Sequence, residues 1–140
     1  MKKTILILLV MLTSFGKGLF AQMMVTFENT TPQYFVATLL DKSWTPAPVN
    51  NYFIDVVNNL TQDRYPVVQT GNYLATVADW RGVALRTYPQ GQVIAPIYSA
   101  TGTFPLNGSF FVTNPGNPPI RYYVTCSIIS PTQIRVRIYP

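Results

Sequence analysis

Apolar residues alternate with polar ones along most of this chain, and this period of two is the feature that most constrains its fold. The alternating stretches are short, rich in β-branched and aromatic side chains, and bounded by Pro, Gly or Asn. A period of two predicts a strand with one buried face, whereas an amphipathic helix needs a period near 3.6. No stretch after residue 22 has the helical period. The chain is therefore predicted to be all-β.

The number and spacing of these stretches favour one domain over residues 22–140. We predict roughly nine or ten short strands with turns about every 8–12 residues, which is typical of a single antiparallel β-sandwich of the Ig-like or jelly-roll type. An outer-membrane barrel needs longer strands with less proline. Pro66 and Pro96 indicate edge strands, because proline cannot donate to a ladder. The predicted strands are Met23–Glu28, Tyr34–Leu40, Asn51–Asn58, Arg64–Thr70, Tyr73–Ala78, Val83–Tyr88, Gln92–Ser99, Thr103–Thr113 with a hairpin turn at Asn107-Gly108, Ile120–Ile129 and Gln133–Tyr139, with a Pro-rich break at 45–48.

Residues 1–21 have the parts of a secretory signal peptide. Met1-Lys2-Lys3 is a basic head, residues 4–12 form an almost unbroken apolar run, and Ala21 is a small residue at the expected cut. The run is about half of the roughly 20 residues that a spanning helix needs. The ending Phe20-Ala21-Gln22 resembles bacterial export signals. We expect a cleaved Sec-type leader, no transmembrane segment in the mature chain, and a periplasmic, cell-surface or secreted product.

Removal of this leader would lower the net charge from +5 to +2, because Lys2, Lys3 and Lys17 would leave with it. A nucleic-acid-binding domain normally carries a much stronger basic field, so no nucleic-acid partner is expected. Cys126 is the only cysteine, so no internal disulfide is available and burial alone must hold the fold together.

The residues that carry most enzyme chemistry are absent or scattered. The chain has no histidine, the usual general base and the commonest transition-metal ligand. Cys126 shares the apolar face of 120–129, which predicts a buried thiol rather than a nucleophile. The oxygen-rich stretch from Asp55 to Asp63 lacks calcium-loop spacing and suits a polar turn. We predict a non-enzyme with no catalytic residue, metal or cofactor. A small enzyme using two of the five acids is the lowest-ranked alternative.

Two tryptophans follow similar short sequences, ATLLDKSW at 37–44 and ATVADW at 75–80. The tetrapeptide Asp79-Trp80-Arg81-Gly82 suits a type I turn, which would place Trp80 near a hairpin tip. Trp44 also lies just beyond a strand. Such a ring either folds back over the core or is displayed for stacking on a sugar or a partner. Trp44, Trp80 and Arg81 are therefore candidate ligand-binding residues.

The C-terminal pair of strands offers a second candidate surface. Its inward positions are apolar from Ile120 to Ile138, and its outward positions carry three arginines, two tyrosines and no acid. Arginine and tyrosine are enriched at interfaces, and arginine binds carboxylate or sulfate in a bidentate fork. A solvated sheet face is the competing interpretation. The candidate ligand-binding residues on this face are Arg121, Tyr123, Arg135, Arg137 and Tyr139.

Three functions remain open at this stage. The first is an exported, non-catalytic binding or adhesion module for a glycan or a surface protein. The second is a structural subunit of a surface fibre or homo-oligomer, assembled through the N-terminal strand Gln22–Glu28 or other edge strands. The third is the carboxylate-dependent enzyme. Sandwiches of this size resemble many adhesins and sugar-binding modules only at the level of fold, which does not give function.

Overall fold

The computed structural model describes residues 23–42, 46–54, 63–66, 74 and 76–140. The predicted signal peptide, Trp44 and Asp55 lie outside the described residues. The described residues form strands and one short 3-10 helix, Val77–Asp79, and none of their helices is long and apolar enough to cross a membrane. The strands are β1 (Met24–Asn29), β2 (Tyr34–Asp41), β3 (Pro46–Ile54), β4 (Asp63–Pro66), β5 (Trp80–Tyr88), β6 (Val93–Tyr98), β7 (Leu106–Val112), β8 (Ile120–Ser130) and β9 (Gln133–Tyr139).

The strands form two sheets that pack together, which confirms the all-β prediction. The five-stranded sheet has the order β4-β1-β9-β8-β7, and the four-stranded sheet has the order β3-β2-β5-β6. All strand pairs are antiparallel except β1–β9, in which Val25 lies beside Ile134 and Phe27 beside Val136 in a parallel ladder. The expectation of a purely antiparallel fold is therefore wrong for this one pair.

Alternate residues of the two sheets meet in one apolar core. The predicted inward positions in the middle of β8 and β9 are buried, namely Tyr122, Val124, Cys126, Ile134, Val136 and Ile138. Phe35 of β2 contacts Phe110 and Tyr122 edge to face across the core, with ring centroids 5.7 and 6.4 Å apart. Burial of such rings contributes about 1.5–3 kcal/mol each. Two predicted inward residues, Ile120 and Ile128, are 42% and 41% exposed, because they lie at strand ends where the layers cover less.

The predicted hairpin turn at Asn107-Gly108 is wrong, because β7 runs straight through both residues beside β8. Gly108 instead permits close packing between the sheets. A Cβ at this position would lie 2.7 Å from the Ile97 side chain of β6. An Asn-Gly pair favours a tight turn locally, but here tertiary packing selects the glycine for its lack of a side chain.

The predicted strand Tyr73–Ala78 and the type I turn at Asp79–Gly82 are also wrong over the described residues. Residues 77–79 form the 3-10 helix, and Trp80 begins β5 rather than occupying a hairpin tip. The backbone N–H and the hydroxyl of Thr76 both donate to one carboxylate oxygen of Asp79, each at 3.1 Å. This local hydrogen bonding competes with a strand ladder.

The N-terminal strand is not an open edge. β1 lies inside the five-stranded sheet, between β4 and β9, so both of its sides are paired. Self-association through this strand, as predicted for Gln22–Glu28, would first have to break two ladders. Among the described strands, the edges of the two sheets are β3, β4, β6 and β7. The edge predictions from Pro66 and Pro96 are confirmed, whereas the predicted break at 45–48 overlaps the start of β3.

Candidate functional site

The outer face of the five-stranded sheet gathers aromatic and arginine side chains from three strands. Tyr123 of β8 lies opposite Tyr139 of β9, and Arg121 of β8 lies opposite Phe111 of β7. Arg137 of β9 is two residues before Tyr139 and therefore projects from the same face. We call these five residues, Phe111, Arg121, Tyr123, Arg137 and Tyr139, the tyrosine–arginine cluster.

Rings and guanidinium groups are in contact within the cluster. The Tyr123 and Tyr139 rings stack with centroids 5.7 Å apart and planes inclined by 22°. The guanidinium of Arg121 lies 5.2 Å from the Tyr123 centroid and 5.8 Å from the Phe111 centroid. That of Arg137 lies 5.7 Å from the Tyr139 centroid. Cation–π contacts of this kind fix the long arginine side chains on the sheet surface.

Arg121 is the arginine of the cluster with the least compensated charge. Its Nη2 donates to the Ser109 hydroxyl at 2.9 Å. Among the described residues, no acidic side chain forms an ion pair with it. The guanidinium is exposed, and the rings beside it carry no formal charge. An anion approaching this end of the cluster would therefore meet a full positive charge.

Glu28 compensates the other arginines of the face. One carboxylate oxygen lies 3.5 Å from Nη1 of Arg135, and the other lies 3.5 Å from Nε of Arg137. The sequence-based description of an outward face without an acid holds for β8 and β9 alone, because β1 brings Glu28 beside Arg137 through the parallel ladder. No local signal in the sequence indicates this pairing, since residues 28 and 137 are joined only by the fold.

Hydroxyl and amide groups surround the cluster. Thr125, opposite Arg137, donates to Asn107 at 3.0 Å, and its hydroxyl lies 3.4 Å from the Tyr139 hydroxyl. Phe111 is 56% exposed and Tyr123 is 38% exposed. The surface thus combines positive charge, partly exposed rings and hydrogen-bonding groups.

Trp80 is not available to a surface ligand. Of the two placements that the sequence left open, the structure has the ring folded back and fully buried. The indole stacks on Phe104 with centroids 4.5 Å apart and planes inclined by 8°. Its N–H donates to the Gly82 carbonyl at 2.7 Å. The candidate ligand-binding role of Trp80 is therefore corrected, because a large indole with its N–H satisfied internally is more stable inside the core.

Arg81 lies on β5, in the other sheet, and contributes to the local fold. Its Nη1 donates to the carbonyls of Ala78 and Trp80, at 2.6 and 2.8 Å. Gly102 packs so closely over this guanidinium that a Cβ there would lie 2.8 Å from Nη1. The structure separates Arg81 from the tyrosine–arginine cluster. Trp44, its predicted companion, lies outside the described residues.

Cys126 is fully buried at the centre of β8. Loss of hydration raises the pKa of the thiol to about 12. A nucleophilic cysteine needs a lowered pKa and access to solvent, and this residue has neither. The predicted buried thiol is confirmed. Among the described residues, no group of three Cys, Asp, Glu or His side chains is arranged to hold a metal ion.

Phe111 and Ser109 belong to the site but were missed as site residues. The alternation over 103–113 places both on the outward face of one continuous strand. The Asn-Gly pair favours a turn, and a turn there would divide the strand in two. The sequence therefore does not show that Ser109 and Phe111 share a face with the residues of β8.

No family model, curated protein or solved structure matches this chain. The function is therefore argued from the geometry of the chain itself.

Proposed function

We propose that the protein is an exported, non-catalytic β-sandwich module, of the Ig-like or jelly-roll type, that recognises a glycan or a surface protein. The tyrosine–arginine cluster forms the binding surface. The two packed sheets support the sandwich at the level of its layers, and the basic, apolar leader at 1–21 supports export to the periplasm, the cell surface or beyond.

The observation that carries the proposal is the convergence of the cluster on one exposed face. Strands β8 and β9 bring two stacked tyrosines and two arginines together, β7 adds Phe111, and a third arginine, Arg135, lies beside them. A merely solvated face needs polar side chains but does not need this concentration of arginine and aromatic rings. Both residue types are enriched at the contact surfaces of proteins.

The alternative of a structural subunit assembled through strand edges receives less support. Of the four edge strands in the part of the chain that the structure describes, three contain proline: β3 has Pro46 and Pro48, β4 has Pro66, and β6 has Pro96. At the fourth edge, β7, the side-chain amide of Gln92 donates to the Phe111 carbonyl and accepts from the Thr113 N–H, both at 3.0 Å. Proline and covered backbone groups are the devices by which proteins prevent edge-to-edge pairing.

The experiment compares two matched double variants of the purified protein on glycan arrays and on arrays of surface proteins. Arg121→Ala with Tyr123→Ala changes the cluster. Arg86→Ala with Tyr88→Ala removes the same residue types from exposed positions on β5 of the other sheet. We expect binding to be lost in the first variant and kept in the second. Binding that both variants retain, or an array on which the protein binds nothing, would refute the proposal.

A further inference from the structure

Each aromatic ring of the cluster has a guanidinium beside it, so a neutral sugar would have to share the ring with a cation. Sugar recognition by stacking uses the open face of an aromatic ring, which lies flat against the sugar's C–H groups. Here each tyrosine already has the other tyrosine and a guanidinium near its ring. Phe111 likewise has Arg121 beside it. The π electrons of the rings thus already interact with cations. The groups best able to bind a ligand are the N–H donors at the edges of the guanidinium groups.

The charge of this face favours an anion. Arg121, Arg135 and Arg137 project from it, whereas Glu28 is the one acidic side chain that pairs with them among the described residues. Glu28 is only 15% exposed and is shared between two arginines at 3.5 Å, so neither pair is a close bidentate one. A carboxylate or sulfate offers the bidentate geometry that these arginines lack.

The spacing of the arginines favours a polymer over a single anion. Arg121 and Arg137 lie on opposite sides of the tyrosine pair. Arg137 is opposite Thr125, which is four residues beyond Arg121 on the same strand. At about 3.4 Å per residue the two positions are about 14 Å apart along the strand direction. A chain with repeated negative charges would contact both at once.

The surroundings favour a polysaccharide over an acidic protein. Protein interfaces concentrate their binding energy in a few side chains that enter well-packed, desolvated pockets. The cluster instead lies on a sheet face, beside the polar side chains of Ser109, Asn107 and Thr125. These groups match the hydroxyls of a sugar chain.

We infer that the tyrosine–arginine cluster binds an anionic polysaccharide, carboxylated or sulfated, with Arg121 and Arg137 as the anion-binding residues and Glu28 as a competing internal anion that weakens the interaction. This inference rests on the proposed function and narrows its ligand class. Glu28 distinguishes this inference from the interpretation that the face is only solvated. If the face binds an anion, removal of the Glu28 carboxylate releases two arginines for that anion.

The test measures binding of the purified protein to dextran sulfate, polygalacturonate, uncharged dextran and polyglutamate at low salt. We expect binding to dextran sulfate or polygalacturonate, weakening as salt is raised, and no binding to dextran. Arg121→Ala should weaken binding about tenfold, the value of one charge-assisted contact. Glu28→Gln should strengthen it about two- to fivefold, the range for release of a weak surface ion pair.

Arg86→Ala is the matched control, because it removes the same charge from an exposed position on the other sheet. An equal loss in Arg86→Ala and Arg121→Ala would overturn the inference in favour of unspecific charge attraction. So would unchanged or weaker binding in Glu28→Gln. Cluster-dependent binding to dextran or polyglutamate would overturn the ligand class and leave the proposed function standing. Binding to nothing, here and on the arrays, would remove both.

Discussion

Replacement of Trp80 by alanine removes the largest fully buried side chain of the described core. Truncation of a buried tryptophan costs about 3–5 kcal/mol. The substitution also takes the indole donor from the Gly82 carbonyl, and a buried polar group without its partner costs about 1–3 kcal/mol. Because the two effects overlap, we expect about 4 kcal/mol, a large part of the total stability of about 5–15 kcal/mol for a domain.

Trp80→Phe separates the two contributions. Phenylalanine keeps a ring for the stack on Phe104, which lies 4.5 Å away, but it is smaller and has no N–H donor. We expect a loss of about 2 kcal/mol from the missing hydrogen bond and the small remaining cavity. At roughly 4 °C per kcal/mol for a domain of this size, the melting temperature should fall by roughly 15 °C for Trp80→Ala and by half of that for Trp80→Phe.

Urea unfolding followed by far-UV circular dichroism measures these differences without relying on tryptophan fluorescence. Phe111→Ala serves as the control, because this ring is 56% exposed and its removal should change stability by only about 0.5 kcal/mol. If Trp80→Ala unfolds within 1 kcal/mol of the natural protein, the reasoning from burial is refuted. A variant that keeps its stability but loses its ligand would instead restore Trp80 as a displayed binding residue.

Three further predictions concern residues outside the cluster. The Cys126 thiol, with its pKa raised to about 12 by burial, should not react with a thiol reagent near neutral pH until urea unfolds the chain; rapid reaction of the native protein would contradict its placement. Gly82→Ala should be strongly destabilising in thermal melts, because φ there is +152° and a Cβ would overlap a backbone carbonyl of β6; a melting temperature within 2 °C of the natural one, a shift of well under 1 kcal/mol, would count against this. Burial acts to raise the pKa of Asp79, but hydrogen bonds from Lys42 and Thr76 outweigh it and hold the pKa below 3.8. The stability that this carboxylate contributes is therefore present above pH 3.8 and lost as the pH falls through the lowered pKa. The loss of unfolding free energy in Asp79→Ala, measured by urea unfolding, should therefore shrink in acid. A loss that does not depend on pH would exclude the charged interaction.

Edge protection and the cluster meet at one strand. Gln92 covers the free edge of β7 at Phe111, whose ring is also part of the cluster. The same amide accepts from Thr113, so it replaces one step of a neighbouring strand. A closed edge beside the proposed binding face would let a ligand bind there without nucleating strand pairing.

The alternation of side chains along the strands predicted more of the structure than any other feature of the sequence. It identified the outward set Arg121, Tyr123, Arg135, Arg137 and Tyr139, and the structure projects these residues from one face. Parity works here because successive side chains of a strand must point to opposite sides. The same local rule placed Cys126 in the core.

Predictions from local sequence were wrong where contacts with a distant segment outweighed the local conformational preference. The Asn107-Gly108 pair has the local preferences of a turn, yet contact with Ile97 makes the glycine part of a straight strand. Trp80 follows a capped 3-10 turn. The inward orientation of its ring depends on stacking against Phe104, which is distant in the sequence.

The all-β class, the buried thiol and the residues that share the outward face of the C-terminal strands could be predicted from the sequence alone, because alternation is a property of neighbouring residues. The burial of Trp80, the position of β1 between two strands and the pairing of Glu28 with Arg135 and Arg137 follow from the three-dimensional fold. These outcomes depend on which strands become neighbours. Strand order is set by the global packing of two apolar faces, and no short stretch of sequence encodes it.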